Sequence, residues 1–272
     1  MSAKLLLGKP CVENMRENIR SIVNGIKTPT VCAIGFDEPR WNQYAASIAK
    51  SAEAYGFVCE NIAVSENCEP SALFGVIANA CAREDVAGVI VQQPLPEKYK
   101  KAVEYVSPDK DIDCLNPLSV CKLYSGEDGF RPATPSAVIN LLDYYGIEIK
   151  GKNVVIVGRG NTVGKPLALM MLQRNATVTV CHTKTVDLPS VCRGADILIS
   201  ACGAPNLVTA DYVTDKTVVI DVGLSFVDGK TRGDVAEEVY NKCLAVSPVP
   251  GGVGPVTRAS LFLNALNAVK NK

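Results

Sequence analysis

Residues 153–173 read NVVIVGRGNTVGKPLALMMLQ, and this stretch decides the fold. A short β-branched apolar run leads directly into Gly158, Gly160 and Gly164, and a helix-forming segment follows. Glycines at a strand-to-helix turn allow a tight turn and let backbone N–H groups at the helix N-terminus approach a pyrophosphate. The third glycine comes one residue later than in the usual G-x-G-x-x-G pattern, and a glycine-rich turn without a ligand has the same appearance. Strand, turn, helix and following strand together favour a dinucleotide-binding site.

The next strand-like segment, ATVTVCHTKT at residues 176–185, indicates which dinucleotide binds. NAD-binding folds usually place an Asp or Glu here to bind the ribose 2′-hydroxyl. This segment has no acid and instead carries His182, Thr183 and Lys184, while Arg159 lies in the glycine turn. Cations and hydroxyls suit a 2′-phosphate, which a carboxylate would repel, so NADP is favoured over NAD. The alternative for His182 is a surface residue at a strand end.

The charge balance excludes several classes of partner. The 272 residues include 28 basic and 28 acidic side chains, for a formal net charge of zero. Such a chain lacks the broad positive field that attracts nucleic acid or anionic lipid, so we expect neither partner. The N-terminal MSAKLLLGKP has only three consecutive leucines, which is too short for the apolar segment of a signal peptide. No apolar run in the sequence reaches membrane-spanning length. We expect a cytoplasmic protein.

The cysteines suggest neither a metal site nor disulfides. There are eleven of them, an odd number, with no CxxC spacing and only one histidine in the chain. A zinc site would therefore need almost exclusively thiolate ligands. Several cysteines lie in apolar strand-like runs, where a free thiol behaves as a small hydrophobic group. We expect reduced thiols, as in cytosolic proteins, and no metal.

Two α/β lobes with a cleft between them are the simplest organisation. Short β-branched runs alternate with helical lengths up to about residue 105, which is typical of βαβ units and parallel sheets. Residues 105–135 interrupt this alternation with an irregular stretch of the kind that is more often functional than idle. A second alternating series follows. We therefore predict a substrate domain at 1–140, joined by a C-terminal helix at 256–272, and a Rossmann-like NADP-binding domain at 141–255.

Several motifs, in order, resemble those of the methylenetetrahydrofolate dehydrogenase/methenyltetrahydrofolate cyclohydrolase family. The resemblance spans about residues 31–264 and is most specific in PDKDID and PGGVGP. The motifs are YAASIAK (44–50), VQQPLP (91–96), PDKDIDCLNP (108–117), RPATPSAVINLL (131–142), the glycine turn, CHTKT (181–185), VVIDVGLS (218–225), GDV (233–235) and PGGVGPVT (250–257).

The resemblance implies a reaction and its residues. Hydride passes from 5,10-methylenetetrahydrofolate to NADP, and bifunctional members then hydrate the 5,10-methenyl cation to 10-formyltetrahydrofolate. Tyr44, Gln92 and Asp113 are implied as catalytic: Tyr44 lies beside the folate, Gln92 contacts the reacting region and Asp113 hydrogen-bonds the pterin. Implied to bind substrate are Tyr44, residue 48, Gln92, Gln93, Pro94, Asp113, Pro250, Gly251, Gly252, Val253, Gly254 and Pro255. Implied to bind NADP are Thr134, Gly158, Arg159, Gly160, Val163, Gly164, His182, Thr183, Lys184, Cys202, Gly203 and Leu224.

Elementary chemistry agrees with these assignments, although each catalytic residue has a structural alternative. A carboxylate can accept paired hydrogen bonds from the row of donors along one edge of the pterin. A segment rich in glycine and proline allows the backbone to approach a flat ligand closely. Hydride transfer chiefly requires that donor and acceptor are held in contact. The alternatives are a packed helix aromatic for Tyr44, a strand-end polar residue for Gln92 and a loop or helix cap for Asp113.

The chain departs from the family pattern at its substrate site. Ile48 occupies the position, one helical turn after Tyr44, where the family has a lysine, and Lys50 points to nearly the opposite side of a helix. Trp41 replaces a usual serine, and Cys114 and Leu115 replace a usual Gly-Phe pair. Isoleucine cannot move a proton, and general acid–base help is typically worth about 10²–10⁴ in rate, so the hydrolytic step should suffer most.

These observations support one main hypothesis and three alternatives. The main one is an NADP-dependent dehydrogenase with weak or absent cyclohydrolase activity. The others are a fully bifunctional enzyme in which another group or a water chain replaces the lysine, a catalytically silent folate- or NADP-binding protein, and another two-lobed NADP enzyme such as a shikimate-type dehydrogenase. The usual paired Lys and Asp of the last are not evident. A homodimer is expected from the resemblance alone.

Overall fold

The chain divides into two compact units, and the computed structural model describes residues 2–227 and 229–270. The six-stranded unit comprises Met1–Glu13 and Thr134–Ser260, and the three-stranded unit comprises Asn14–Ala133 and Leu261–Lys272. Each unit contains a parallel sheet with helices, so the predicted α/β class is confirmed.

The three-stranded unit is built on a sheet in the order β3-β2-β4. Strands β2 (Thr30–Phe36) and β4 (Val86–Val91) are buried along their whole length, as strands covered on both faces should be. β3 is Val58–Val64, and the helices are α2 (Pro39–Tyr55), α3 (Pro70–Ala82), α4 (Pro117–Ser125) and a 3₁₀ helix at Glu97–Tyr105. Helix α4 lies inside the stretch predicted to be irregular.

The six-stranded unit has a parallel sheet in the order β1-β11-β8-β7-β5-β6. Its strands are β1 (Lys4–Leu5), β5 (Asn153–Val157), β6 (Thr177–Cys181), β7 (Ile197–Ser200), β8 (Val218–Asp221) and β11 (Ala245–Ser247). A separate antiparallel hairpin pairs β9 (Ser225–Val227) with β10 (Lys230–Arg232). The helices are α5 (Ala133–Tyr144), α6 (Gly164–Gln173), α7 (Leu188–Arg193) and 3₁₀ helices at Ala210–Tyr212 and Glu237–Asn241.

Two helices pass from one unit into the other along the sequence. They are α1 (Gly8–Val23) and α8 (Val253–Lys270), and α5 begins at Ala133, where the first segment of the three-stranded unit ends. The division differs from the predicted domains: the first thirteen residues belong with the six-stranded sheet, the boundary lies at 133/134 instead of 140/141, and α8 is shared at 260/261. The N-terminal difference has a simple cause, because β1 pairs in parallel with β11.

Leu6 anchors the N-terminal segment. Its backbone N–H donates to the Val246 carbonyl at 2.9 Å, and its side chain is 0% exposed. The neighbouring Leu5 points outward, with 45% of its surface exposed. Adjacent leucines therefore lie on opposite faces of β1 and its extension, as strand geometry requires.

We predict that Leu6→Ala lowers the free energy of unfolding by about 2–4 kcal/mol, because it removes buried methyl groups and leaves a cavity. Leu5→Ala is the matched control and should change it by less than about 0.5 kcal/mol. Urea unfolding followed by circular dichroism measures both. Equal effects of the two substitutions would contradict the placement of the N-terminus in the sheet.

Candidate active site

A cavity of about 370 Å³ opens where strands of the three-stranded sheet end. The chain leaves β2 towards α2 and β3 on one side, and β4 returns on the other side of β2. Such a reversal of strand order forms a crevice at the carboxyl ends of the strands. The residues that line the cavity follow β2 and β4 or lie on α2: Glu38, Arg40, Trp41, Tyr44, Ile90, Val91, Gln92, Gln93, Pro94 and Asp113. The predicted Tyr44, Gln92, Gln93, Pro94 and Asp113 are thus brought together.

The Gln92 side chain is held at both ends of its amide. Its Oε1 accepts a hydrogen bond from the backbone N–H of Phe36 at 2.7 Å, and its Nε2 donates to Glu38 Oε1 at 2.5 Å. Phe36 ends β2 and Gln92 follows β4, so the bond joins the ends of two paired strands. The backbone donor fixes which end of the amide is oxygen, and the carboxylate takes the other end.

Trp41 forms the base on which Tyr44 rests. Only 3% of its surface is exposed, and its Nε1 donates to Asn61 Oδ1 at 3.2 Å. Room for the ring exists because residue 35 is glycine: a Cβ on Gly35 would lie 2.4 Å from Trp41 Cε2 and 2.6 Å from Gln92 Oε1. The Tyr44 ring lies 5.6 Å from the Trp41 ring at 41°, and Tyr44 remains 45% exposed. A large aromatic surface therefore faces the cavity.

Ile48 does not line this cavity, which differs from the prediction for residue 48. It is 1% exposed and belongs to the buried stripe of α2, with Trp41, Ala45, Ala52 and Tyr55. The spacing of three and four residues is that of one helix face turned to the core. An apolar side chain at this position packs inward.

Asp113 lies in a loop that other side chains hold firmly. The Asp111 carboxylate accepts hydrogen bonds from the backbone N–H groups of Leu115 at 3.0 Å and Asn116 at 2.8 Å. Asn264 Nδ2, from α8, donates to the Ile112 carbonyl at 2.8 Å. Asp113 itself is half-buried, and this burial, with a smaller contribution from the negative charge of Asp111, raises its pKa to about 6.

Cys114 adopts a backbone conformation that explains the glycine usual at this position. Its φ is +57°, in the left-handed region that side chains with a Cβ disfavour. The hydrogen bond from Cys114 N–H to the Asp111 carbonyl at 2.9 Å closes the turn. The turn therefore requires a conformation that favours glycine, and a cysteine adopts it here.

The glycine turn of the six-stranded unit lies at a second reversal of strand order. β6 lies on one side of β5 and β7 on the other, so the ends of β5 and β7 form the crevice. Gly158 has φ +121°, and a Cβ there would lie 2.4 Å from the Ala201 carbonyl oxygen. A Cβ on Gly164 would lie 2.1 Å from the Gly158 oxygen, whereas nothing lies within 4 Å of the corresponding position on Gly160. The close packing and the open space beside Gly160 fit a pyrophosphate at the start of α6.

The other predicted cofactor residues also lie at strand or helix ends of this unit. His182 follows β6, and its Nδ1 accepts a hydrogen bond from the Lys184 backbone N–H at 3.1 Å. Arg159, Thr183 and Lys184 are exposed, and neither cation forms an ion pair with a carboxylate within residues 2–227 and 229–270. Val163 precedes α6, Thr134 is half-buried in the first turn of α5, and Leu224 is exposed after β8.

Asp234 organises the loop that carries Cys202 and Gly203. Its Oδ2 accepts from Ser200 Oγ at 2.9 Å and from the Cys202 N–H at 3.0 Å, and its Oδ1 accepts from the Ala204 N–H at 2.7 Å. The buried Asp221 accepts in turn from the Asp234 N–H at 3.0 Å, and burial raises the pKa of Asp221 to about 6. Cys202 and Gly203 are exposed at the end of β7, beside the glycine turn.

The segment 250–255 lies in the six-stranded unit, so the predicted substrate residues are divided between the two units. The Gly252 N–H donates to the Pro248 carbonyl at 2.7 Å, and the Gly8 N–H donates to the Gly251 carbonyl at 2.8 Å. Gly252 and Val253 are buried, Gly251 is half-buried, and Pro250, Gly254 and Pro255 are exposed at the beginning of α8.

Sequence reasoning missed several residues of these sites. Glu38, Arg40, Ile90 and Val91 line the cavity without having been predicted, and Trp41 was noted only as a departure. Glu38 could have been found, because it closely follows a buried parallel strand, where functional residues collect. Asp234 lies in the GDV motif, but nothing local indicated its role, since the groups that donate to it lie about thirty residues earlier in the chain.

Two further properties concern only the part of the chain that the structure describes. Within residues 2–227 and 229–270, no group of three His, Cys, Asp or Glu side chains is placed to hold a metal ion. No described helix combines the length and apolar character that crossing a membrane requires.

Two family models match nearly the entire chain. Residues 6–113 match the catalytic domain of tetrahydrofolate dehydrogenase/cyclohydrolase, and residues 132–272 match its NAD(P)-binding domain. The cavity falls in the first match and the glycine turn in the second.

Similar proteins agree over the full length. The bifunctional protein FolD of Thermus thermophilus is 42% identical, over 98% of this chain and 96% of that protein. The FolD methylenetetrahydrofolate dehydrogenase/cyclohydrolase of Campylobacter jejuni superposes with a TM-score of 0.93 at 37% identity, covering 99% of each chain. The enzyme from Trypanosoma brucei, whose structure contains NADP and an inhibitor, has a TM-score of 0.89 at 32% identity and covers 100% of this chain and 98% of its own. The sequence motifs, the two parallel sheets and these full-length matches agree: the chain belongs to the tetrahydrofolate dehydrogenase/cyclohydrolase family.

Proposed function

We propose that this protein oxidises 5,10-methylenetetrahydrofolate to 5,10-methenyltetrahydrofolate with NADP, and that its cyclohydrolase activity is weak or absent. The observation that carries the proposal is the cavity lined by Tyr44, Gln92 and Asp113, together with the apolar, buried Ile48 one helical turn after Tyr44. The groups suited to binding a folate are present, and the side chain suited to moving a proton is replaced.

The cavity offers folate two complementary surfaces. The exposed ring of Tyr44 provides an aromatic face for a flat ligand. The Asp113 carboxylate, when ionised, accepts hydrogen bonds from the paired N–H donors along one edge of the pterin. Gln92 contacts the reacting region, with Gln93 and Pro94 beside it, and the family resemblance implies that the segment 250–255 also binds folate.

The six-stranded unit supplies the site for NADP, which accepts the hydride when bound. Backbone N–H groups between Gly158 and Gly164 bind the pyrophosphate, and Arg159, His182, Thr183 and Lys184 receive the 2′-phosphate. Val163 and Leu224 contribute contacts along the cofactor, and Thr134, Cys202 and Gly203 lie near the nicotinamide. The absence of an acid at 182–184 supports NADP over NAD.

Hydride transfer does not need the missing lysine. The lone pair of a substrate nitrogen drives the hydride out, so the protein's task is to hold the substrate in position. Hydration of the methenyl cation releases a proton, and Ile48 can neither accept it nor orient a water. Hydride transfer is therefore retained, while hydration of the methenyl cation loses its general acid–base residue.

The family and the composition bear on the remaining parts of the proposal. The relatives' name, bifunctional protein, favours the alternative that both activities persist. A silent binding protein would keep the sites without turnover. A homodimer is inferred from the family, and a cytoplasmic location from the sequence, whose eleven cysteines are odd in number and show no CxxC spacing.

We expect purified protein to form NADPH from 5,10-methylenetetrahydrofolate, with cyclohydrolase turnover about 10²-fold or more below the dehydrogenase turnover. NADPH absorbance measures the first activity, and disappearance of added methenyltetrahydrofolate measures the second. Comparable rates would contradict the proposed loss of hydrolysis, and no NADPH formation would favour the silent protein.

Ile48→Lys should raise cyclohydrolase turnover by about 10-fold or more, because a lysine stem can pack along the helix while its ammonium reaches the cavity. Ile48→Met is the matched control, since it has a long unbranched side chain without a charge, and it should leave hydrolysis unchanged. Thermal melts show whether each variant is folded. An equal gain with methionine would show that side-chain shape, and not proton transfer, limits hydrolysis.

The dehydrogenase kcat/KM should fall as the pH drops through about 6, because Asp113, with its pKa raised to about 6, becomes protonated and no longer accepts the pterin donors. Above that pH the carboxylate is ionised and kcat/KM should level off. Asp113→Asn should lower kcat/KM by about 10²-fold and remove this acid limb. Asp109→Asn, an exposed acid of the same loop, is the control and should keep the wild-type profile. An unchanged acid limb in Asp113→Asn would contradict the role of Asp113.

A further inference from the structure

The cavity contains a second carboxylate, Glu38, that the proposed reaction has not used. It is half-buried, lines the cavity with Asp113 and accepts the hydrogen bond from Gln92 Nε2 at 2.5 Å. Within the described residues, no lysine, arginine or histidine forms an ion pair with it, although Arg40 lines the same cavity. Its negative charge therefore lies at the site without a neutralising partner in direct contact.

Glu38 and the Phe36 backbone N–H together fix how the Gln92 amide is presented. The Phe36 N–H binds the amide oxygen at 2.7 Å, so the NH₂ group must point towards Glu38. One of the two N–H groups donates a hydrogen bond to the carboxylate. The missing side chain of Gly35 leaves room for the amide to lie against the strand. Replacing Glu38 with a residue that has no side-chain acceptor would remove both the partner of the Gln92 amide N–H and the negative charge beside it.

The reaction changes the charge of the substrate. The C–H bond of the one-carbon bridge breaks, the hydrogen leaves with both bonding electrons for NADP, and the nitrogen lone pair forms a C=N bond. The neutral folate ring system thereby becomes a methenyl cation, and NADP is reduced. A fixed negative charge near the bridge favours this transition state and its product over the neutral substrate.

We propose that Glu38 is a positioning residue for Gln92 whose negative charge favours hydride loss by stabilising the developing methenyl cation. This inference rests on the proposed dehydrogenase function. The apolar Ile48 supports it, because a lysine at that position would bring an opposing positive charge towards the same cavity. The arrangement thus suits cation formation better than cation hydration.

Two folate ligands of similar shape but different charge distinguish an effect of the Glu38 charge from an effect on the structure of the cavity. 5,10-Methylenetetrahydrofolate, bound in the absence of NADP, and 5,10-methenyltetrahydrofolate carry the same glutamate tail and the same one-carbon bridge, and they differ chiefly in the positive charge of the ring system. Trp41 is the only tryptophan of the chain and lines the cavity, so quenching of its fluorescence reports the binding of either ligand. Turnover is measured in parallel, with a deuterium isotope effect on the bridge hydrogens to report the hydride step.

Glu38→Gln keeps an oxygen that accepts from Gln92 and removes the charge. We expect it to weaken methenyltetrahydrofolate binding and to lower dehydrogenase kcat by about tenfold each, with KM and the binding of 5,10-methylenetetrahydrofolate without NADP little changed. The isotope effect should grow or persist, since the hydride step becomes slower. Glu38→Asp keeps the charge but shortens the reach to Gln92, so it should retain the preference for the cation while losing kcat.

Asp37→Asn is the matched control, because it removes a neighbouring exposed carboxylate that binds Asn42 and does not line the cavity. It should leave every measurement unchanged. Equal weakening of both ligands in Glu38→Gln, or no change in either, would overturn the inference while the wild-type dehydrogenase activity stands. Absence of turnover in the wild-type protein would instead overturn the proposed function.

Discussion

Parallel strand pairing is the constraint on which both candidate sites depend. In each sheet the strands run in one direction, so their carboxyl ends meet at one edge and the loops that leave them are neighbours. Glu38 and Gln92 follow adjacent strands of one sheet, and Gly158 and Cys202 follow adjacent strands of the other. Residues far apart in sequence become neighbours because the backbone hydrogen bonds of the sheet hold the strand ends in register.

Carboxylates secure these loops where no regular structure does. Asp111 accepts backbone donors in the loop of Asp113, and Asp234 does the same for the loop of Cys202. Buried backbone N–H groups need acceptors, and a short acidic side chain satisfies two or three of them at once. The loops are thus as well determined as the strands, which is what positioning of a ligand demands.

The sequence predicted much of the fold because the decisive signals are local. β-branched runs and glycine turns identified the strands that carry the sites. The two-residue β1 was missed, since Lys4–Leu5 is too short to show a period and is defined by its partner β11. The hairpin β9–β10 was missed for a similar reason. The burial of Ile48 follows from its spacing to Trp41, Ala45 and Ala52, which places all four on one face of α2. The bond between Glu38 and Gln92 spans 54 positions and has no local signature.

The glycine at position 35 has a consequence for how this cavity arose. Any side chain there would overlap the Trp41 ring, so the two positions are not free to vary separately. A tryptophan at position 41 is tolerable only once position 35 has lost its Cβ, whereas the reverse order leaves a void that the fold can survive. Mutational paths to the present cavity are therefore directional: glycine first, tryptophan second. Substitution of Gly35 alone would place a Cβ against the Trp41 ring, so position 35 can change only after Trp41 has been replaced by a smaller residue.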